Sequence, residues 1–396
     1  MTAGRIRSTA GAPPFARRYG QLPFGYRSRR RRLRQLLYCI ALAAALLGVV
    51  SGGLIYLHKP SQRLVVASVP YWNMTYGTAS VLSNPHTFSE MSPWMYGLDR
   101  SGQIVPQYPP QEAAAVQAQL ARLRAARIPL LPTLANVIGG RWAYQPVITN
   151  ILHDPAVRAS HIAAIVALVQ REDYAGIDID YEDLQASDRA AFTAFITQLA
   201  GALHVAGKML SVDLFAKSSN RGYDKRNLAQ DYQAIGRVAD QVRLMGYDYH
   251  WADSGPGPVA PIGWIRAVLS YAKTQIPAGK IILGVPLYGY DWSGGHGTPV
   301  SWLQAFQLSG QYDVQPHFDA ASQSPWFAYT DAAGRRHVVW FENGPSTQAK
   351  FQAAEDAGIG GVYVWIYGLE DTSIWAAVRQ ALPHRVPASS LWSAGI

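Results

Sequence analysis

The sequence predicts a (β/α)8 barrel with a small α+β insertion between its seventh and eighth strands, preceded by a basic tail and one transmembrane helix. Three observations support this fold class. From residue 64 onward, eight short apolar runs alternate with amphipathic stretches. A long connection rich in aromatic residues separates the last two runs. An uncharged stretch of 22 residues follows an arginine-rich N-terminus.

The strand candidates are short runs rich in β-branched and aromatic residues. They are LVVASVPYW (64–72), MSPWMYG (91–97), IPLLPTLAN (128–136), AGIDIDYE (175–182), MLSVDLFA (209–216), QVRLMGYD (241–248), KIILGVPLYGY (280–290) and GGVYVWIYG (360–368). An open doubly wound sheet is the alternative, but no glycine fingerprint for a nucleotide follows the first run.

Helical patterns lie between most of these runs, over residues 111–127, 156–172, 188–207 and 262–275. In the third pattern, Ser187 is predicted to cap the helix start and Gly207 to end the helix. The connection from 291 to 345 contains two aromatic runs on either side of DAAG, which predicts a hairpin. We therefore expect one catalytic domain over residues 58–396, with an insertion at about 291–345.

The N-terminus accounts for the basic character of the chain. The formal charge is +9, and residues 1–35 contribute ten Arg with no acidic residue and no Lys, so the remainder carries −1. A near-neutral body gives no electrostatic reason to expect nucleic acid as a partner. Residues 1–35 are predicted to be a disordered, cytoplasmic tail.

Residues 36–57 are predicted to form a transmembrane signal anchor. They contain no charged residue, and as a helix they would span about 33 Å. The preceding arginine cluster would stay in the cytoplasm and place the body outside the cell membrane. A cleaved signal peptide, which would make the protein secreted, is the alternative. Cys39 is the only cysteine, so neither an intramolecular disulfide nor a cysteine metal cluster is expected.

The fourth run carries three carboxylates with a period of two. Asp178, Asp180 and Glu182 alternate with apolar or aromatic residues, which places all three on one face of a strand. In a barrel, inward residues at the C-terminal ends of strands form the active site. Crowding and burial separate the pKa values of such carboxyls, so that one remains a proton donor, as glycosidic bond cleavage requires.

The stripe has two other interpretations. A solvated strand face does not suit a strand at the centre of a barrel. Acidic oxygens at this spacing could bind Ca²⁺ or Mg²⁺, but no acidic partner stretch is present and the ten His are scattered without ligand spacing. We therefore expect neither a metal nor another cofactor.

Several motifs together resemble glycoside hydrolase family 18. GIDIDYE (176–182) is similar to the fourth-strand pattern D-G-x-D-x-D-x-E, MGYD (245–248) to the sixth-strand M-x-Y-D, and Trp365 to the Trp that ends the eighth strand. The segments 247–265 and 280–292 resemble the spore-germination and cortex-lytic branch of this chitinase-like family. The likeness extends from residue 64 to about 380. Ala175 departs from the pattern, because the family usually has an Asp there.

The resemblance implies substrate-assisted catalysis with retention, in which the acetamido oxygen of the substrate attacks the anomeric carbon. It makes Glu182 the acid and later the base, and it lets Asp180 hold the acetamido N–H, with Asp178 behind it sharing a proton. Tyr247 would contact the acetamido carbonyl. Substrate-binding roles are expected for the following residues at or near predicted strand ends: Asp248, Met245, Trp365, Trp251, Trp292, Tyr71 and Tyr288. Trp72 and Trp94 also fall at predicted strand ends, and Tyr71, Tyr288 and Asn136 have weaker claims than the Trp residues.

The expected function is hydrolysis of β-1,4-linked N-acetylglucosamine glycans by a membrane-anchored, extracytoplasmic enzyme. Peptidoglycan is preferred to chitin on the branch resemblance alone. The replacement at Ala175 is expected to tune activity and its pH optimum. The alternative is a weak or inactive barrel that binds chitin or peptidoglycan.

Overall fold

Eight parallel strands pair side by side and close into a barrel, as predicted. The computed structural model describes residues 62–143, 146–221, 225–366, 370–371 and 373–388. The barrel strands are β1 (Leu64–Pro70), β2 (Glu90–Leu98), β3 (Thr133–Ala135), β4 (Gly176–Asp180), β5 (Met209–Phe215), β6 (Gln241–Met245), β7 (Ile281–Pro286) and β8 (Gly361–Trp365). Each strand pairs in parallel with the next, and β1 pairs with both β2 and β8, which closes the barrel.

Two of the predicted strands are shorter in the structure than in the sequence pattern. Of the run 128–136, only Thr133–Ala135 forms a strand. The run 280–290 is two strands, because β7 ends at Pro286 and Tyr288–Ser293 already belongs to the insertion. The prediction of one strand there was wrong, because apolar patterning alone does not indicate where the chain passes from one sheet to another.

The helices connect successive strands around the outside of the barrel. They are Met74–Ser83, Ala113–Ala125, Val147–His153, Pro155–Arg171, Arg189–Val205, Lys225–Ala229, Tyr232–Val238, Ile262–Gln275, Gly344–Ala357 and Ile374–Ala381. Gly207 follows Arg189–Val205 with φ of +67°, which confirms it as the helix stop. The predicted cap at Ser187 was wrong, because a short 3-10 turn, Ala186–Asp188, precedes the helix and Gln185 caps that turn.

The inside of the barrel is unusually polar. TIM barrels are mostly filled by branched apolar side chains, whereas here Val66, Ile282 and Tyr363 form only a small apolar cluster. Buried polar residues with the inward period of two come from five strands: Glu90, Ser92, Thr133, Asp178, Asp180, Ser211, Gln241 and Arg243. The main apolar core therefore lies outside the strands, between the barrel and its helices.

The insertion is a five-stranded antiparallel sheet with one helix. Its strands are Tyr288–Ser293, His296–Ser301, His317–Asp319, Ser324–Thr330 and Arg336–Trp340, and its helix is Trp302–Gln311. The predicted hairpin is present, with Phe327 paired to Val339. One face of the sheet packs on the helix, and the other carries Tyr288, Tyr290 and Trp292 toward the barrel mouth.

The predicted tail and transmembrane segment lie outside the described residues. Among the helices that are described, none is by itself long and apolar enough to cross a bilayer. Val147–His153 and Pro155–Arg171, bent by 100° at their junction, meet that test only as a pair.

Candidate active site

A cavity of about 850 Å³ opens at the C-terminal ends of the barrel strands. This is the end at which the sequence placed the active site. The cavity is lined by Ser68, Trp72, Trp94, Trp142, Asp180, Glu182, Asp213, Phe215, Ala216, Ser218, Arg226, Asn227, Met245, Tyr247, Asp248, Tyr249, Trp251, Trp264, Tyr363 and Trp365.

Asp180 ends β4 and lies buried at the bottom of this cavity. The indole Nε1 of Trp94 donates a hydrogen bond of 3.2 Å to its Oδ2. No described protein group donates to its Oδ1, which is also buried. Burial and the charge of Asp178 raise the pKa of Asp180 to about 7, although hydrogen bonds from Trp94 and Glu182 oppose this rise.

Glu182 lies two residues beyond the end of β4 and is partly exposed to the cavity. Its backbone is held by Asn136, whose Oδ1 accepts from the Glu182 N–H at 2.9 Å and whose Nδ2 donates to the Glu182 carbonyl at 2.8 Å. Burial, followed by the charges of Asp180 and Asp183, raises the pKa of Glu182 well above its ordinary value. The protonated form of Glu182 is thus favoured more strongly than that of an ordinary Glu.

Asp178 lies below Asp180 and is fully buried. Its Oδ2 accepts a hydrogen bond of 2.8 Å from Thr133 and contacts Nη1 of Arg243 at 3.0 Å. Arg243 also donates to Glu90 at 2.9 Å through Nη2, so one guanidinium joins two buried carboxylates. The three predicted carboxyls are therefore brought together, each in a different environment.

Three further residues of this centre were not predicted from the sequence: Glu90, Arg243 and Asp213. A signal for them was present, because polar residues also recur with a period of two in β2, β5 and β6. Asp213 lies across from β4, in the register position that follows the pair Ile179–Val212. Burial and the charges of Asp178 and Asp180 raise the pKa of Asp213 well above its ordinary value.

The M-x-Y-D residues approach the cavity from β6. The hydroxyls of Tyr247 and Tyr363 lie 2.8 Å apart. Asp248 adopts a left-handed backbone conformation with φ of 56°, and its Oδ1 accepts from Tyr288 at 2.6 Å and from Tyr290 at 3.1 Å. Two tyrosines of the insertion thus fix the Asp248 carboxyl from behind.

The predicted aromatic residues divide into those that line the cavity and those that do not. Trp365 and the exposed Trp251 line it, as does Met245. Trp292 is buried in the insertion sheet, where its Nε1 donates to the Trp251 carbonyl at 3.2 Å. Tyr288 is also buried and meets Asp248. Neither Trp292 nor Tyr288 lines the cavity, so their expected contact with substrate is corrected to support of residues that do.

A second cavity of about 670 Å³ adjoins the first. The two share Trp72, Trp94 and Trp142 in their linings, and Tyr71 lines only the second. Indole and phenol faces pack well against the C–H faces of sugar rings. The two cavities together have the size and lining of a cleft for several linked sugars.

No group of three or more His, Cys, Asp or Glu side chains is arranged to hold a metal ion in the part of the chain that the structure describes. At the carboxyl cluster, the cation that contacts Asp178 and Glu90 is a guanidinium.

A parallel barrel with a Glu and an Asp whose pKa values are both raised, in an aromatic cleft at the strand ends, defines a glycosidase-type hydrolase. Residues 82–369 match the family described as "Glycosyl hydrolases family 18". The chain belongs to this family.

Similar proteins include two with names that refer to sporulation or the spore cortex and one chitinase. YdhD of Bacillus subtilis, which is named as a sporulation-specific glycosylase, is 34% identical over 287 residues, or 70% of this chain and 65% of that protein. The spore cortex-lytic enzyme SleL of Bacillus cereus has a TM-score of 0.74 at 27% identity, over 83% of this chain and 76% of that chain. A chitinase of Chromobacterium violaceum has a TM-score of 0.73 at 31% identity, over 81% and 99%. The chain thus matches just under two thirds of YdhD.

Proposed function

We propose that the protein hydrolyses β-1,4-linked N-acetylglucosamine glycans by a substrate-assisted, retaining mechanism. The observation that carries this proposal is the pair of carboxyls at the end of β4. Asp180 and Glu182 line one cavity together with Tyr247, and the charge of Asp180 contributes to the raised pKa of Glu182. A donor acid, an acceptor carboxylate and a phenol are the groups that an N-acetyl sugar needs if its own acetamido oxygen is the nucleophile.

Glu182 is proposed as the general acid. Its raised pKa keeps the proton in place until the leaving glycosidic oxygen takes it up. Once ionised, the same carboxylate would accept a proton from water when the oxazolinium intermediate is hydrolysed. The two hydrogen bonds from Asn136 fix the backbone from which this side chain reaches the bond.

Asp180 and Tyr247 are proposed to hold the acetamido group. The buried Oδ1 of Asp180, which accepts no hydrogen bond from the described protein groups, can accept the acetamido N–H. Ionised Asp180 would balance the positive charge of the oxazolinium ion. The Tyr247 hydroxyl would donate to the acetamido carbonyl, with Tyr363 accepting or donating behind it.

Peptidoglycan is proposed as the natural polymer ahead of chitin. The support comes from YdhD and SleL, whose names refer to sporulation and to the spore cortex. The likeness to a chitinase supports the same bond type in a different polymer. These are activities of the relatives, and for this chain they define the substrates to compare.

The test is incubation of the purified full-length protein with vegetative peptidoglycan, spore peptidoglycan and chitin oligosaccharides, with products identified by mass spectrometry. We expect new N-acetylglucosamine reducing ends, with faster release from a wall polymer. The first-formed anomer should be β, as NMR of early products would show. An α anomer would contradict retention, and muramic acid reducing ends would contradict the proposed bond.

Glu182→Gln and Glu112→Gln form a matched pair of variants. Glu182→Gln should bind glycan and lose hydrolysis by at least about 100-fold, as expected for loss of a general acid. Glu112 lies in the short helix Pro110–Glu112 and lines neither cavity, so Glu112→Gln should retain full activity. Equal activity of the two variants would remove Glu182 as the acid. Sugar binding without any hydrolysis by the wild type would favour the binding-module alternative.

We also propose that residues 36–57 anchor the protein in the cell membrane with the barrel outside. The support is the sequence alone, an uncharged segment behind an arginine cluster. In fractionated cells, the full chain should remain with membranes after a high-salt wash and be degraded by protease added outside. Recovery of a shortened chain in the medium would instead support cleavage and secretion.

A further inference from the structure

The barrel interior contains more carboxyls than cations. Glu90, Asp178, Asp180 and Asp213 lie in or beside it, and Arg243 is the cation that the described structure places among them. Ionising all four carboxyls would leave three negative charges uncompensated in a low-dielectric interior. Buried charges without partners are costly enough that such groups take up protons instead.

The hydrogen-bond donors indicate which of these carboxyls remain ionised. Glu90 accepts from Arg243 at 2.9 Å and from Gln241 at 2.9 Å. Asp178 accepts from Thr133 and contacts Arg243 on the same oxygen. Each of these two carboxylates therefore has two donors, and they share one guanidinium between them.

Asp213 has a different environment. It lies next to Arg243 in the β5–β6 register, yet Arg243 directs its N–H groups to the carboxylates of β2 and β4. Its Oδ1 is buried without a donor among the described residues, and the same is true of the Oδ1 of Asp178 on the neighbouring strand β4. Because Asp178 is the carboxylate with external donors, the proton between the two belongs to Asp213.

We propose that Asp213 is a positioning residue, held as a neutral acid that donates a hydrogen bond to Asp178, and that together with Arg243 it keeps Asp178 ionised. The mobile proton of the active centre is then confined to Asp180 and Glu182. The groups that face Asp213 from the neighbouring elements are Asp178, Asp180, Arg243, Tyr247 and Tyr363. This inference rests on the proposed function only for its kinetic consequence.

The first experiment requires no substrate. Infrared difference spectra of the full-length wild type against Asp213→Asn at neutral pH should show loss of the C=O band of a protonated carboxylic acid. The control is Asp356→Asn, which alters an exposed carboxyl on the outer helix Gly344–Ala357 and should show loss of carboxylate bands. A carboxylate-type difference for Asp213→Asn would overturn the inference, whether or not the protein hydrolyses any glycan.

The second experiment is the pH dependence of kcat/KM on a chitin oligosaccharide. Its acid limb is the fall in kcat/KM as the pH is lowered. Asn also donates a hydrogen bond and is neutral, so Asp213→Asn should leave the acid limb of the pH profile in place. If Asp213 were ionised, its removal would lower that limb by about one pH unit, because a like charge near Asp180 would be lost. Such a shift, or a loss of activity beyond about 100-fold in a folded variant, would contradict a neutral positioning role.

Arg243→Lys tests the other half of the inference. Lysine keeps the charge, but it lacks the planar fork that joins Asp178 and Glu90. Asp178 should then compete for the proton, and the acid limb of the pH profile should change. An unchanged limb in a variant with normal thermal stability would remove Arg243 from the proposed role. Undetectable hydrolysis in the wild type would count against the proposed function, and the infrared result would still decide the state of Asp213.

Discussion

The side-chain amide of Asn136 forms two hydrogen bonds to the backbone of Glu182, accepting from its N–H at 2.9 Å and donating to its carbonyl at 2.8 Å. The two residues are 46 positions apart and follow adjacent strands, β3 and β4. Glu182 lies beyond the last ladder bond of β4, so the sheet itself does not hold it. The two hydrogen bonds with Asn136 take the place of the missing strand-to-strand bonds. They fix the backbone position from which the Glu182 side chain, the proposed acid, extends.

Asn136→Ala should therefore reduce catalysis more than it reduces folding. It leaves a backbone N–H and a carbonyl without partners, which costs about 1–3 kcal/mol each when buried, and displacement of the acid should lower kcat by about 100-fold. Asn84→Ala is the control, since it also loses a side-chain to backbone hydrogen bond but Asn84 is the C-cap of the outer helix Met74–Ser83. Equal kcat for the two variants would contradict the positioning role.

The pKa of Asp180 predicts the acid limb of the pH profile. Burial and Asp178 raise this pKa to about 7, so Asp180 is protonated below that pH. A protonated Asp180 cannot balance the oxazolinium charge, and activity should fall as the pH is lowered through about 7. Glu182 must keep its proton, and its raised pKa places the loss of activity at high pH above that of an ordinary Glu. Measurement of kcat/KM from pH 4 to 10 checks both limbs, and full activity near pH 4 would contradict the assignment.

Trp94 should influence this limb directly. Its Nε1–H donates to Asp180 at 3.2 Å and so favours the ionised form. Trp94→Phe keeps an aromatic ring but removes this donor, and the acid limb should rise by about half to one pH unit. Trp72→Phe is the control, because Trp72 packs edge-on against Trp94 and donates no hydrogen bond to Asp180 among the described residues. The same shift in both variants would attribute the effect to packing instead.

The connection from the insertion back to the barrel depends on a buried ion pair. Lys350 donates to Glu342 at 2.7 Å, and both side chains are almost completely buried. Lys350→Met should destabilise the protein by about 3–5 kcal/mol, because it leaves Glu342 charged and unpaired. The double variant Glu342→Leu with Lys350→Met should recover most of that loss. Thermal unfolding of the wild type and the three variants, with Glu342→Leu as the other single change, measures the coupling, and additive losses would contradict it.

The general outline of this protein can be predicted from local pattern. The alternation of Asp178, Asp180 and Glu182 with apolar residues already specifies a strand with one acidic face, since side chains on a strand alternate sides. Eight such runs with intervening helices indicate the barrel and the end at which its site lies. Gly207 ends its helix because a left-handed residue is needed there, which is also a local requirement. The strand break at Leu287 was missed, because both sides of it are equally apolar.

The protonation of the centre is decided only by tertiary structure. Trp94 meets Asp180 across 86 residues of chain, and Arg243 meets Glu90 across 153. These contacts exist because the barrel closes, and no local pattern encodes which carboxyl faces a donor. The sequence shows which residues are Asp or Glu, whereas the pKa of each carboxyl depends on its burial and on neighbouring charges and donors. Local alternation thus predicts carboxyls along one strand, and closure of the barrel gives these carboxyls their different pKa values.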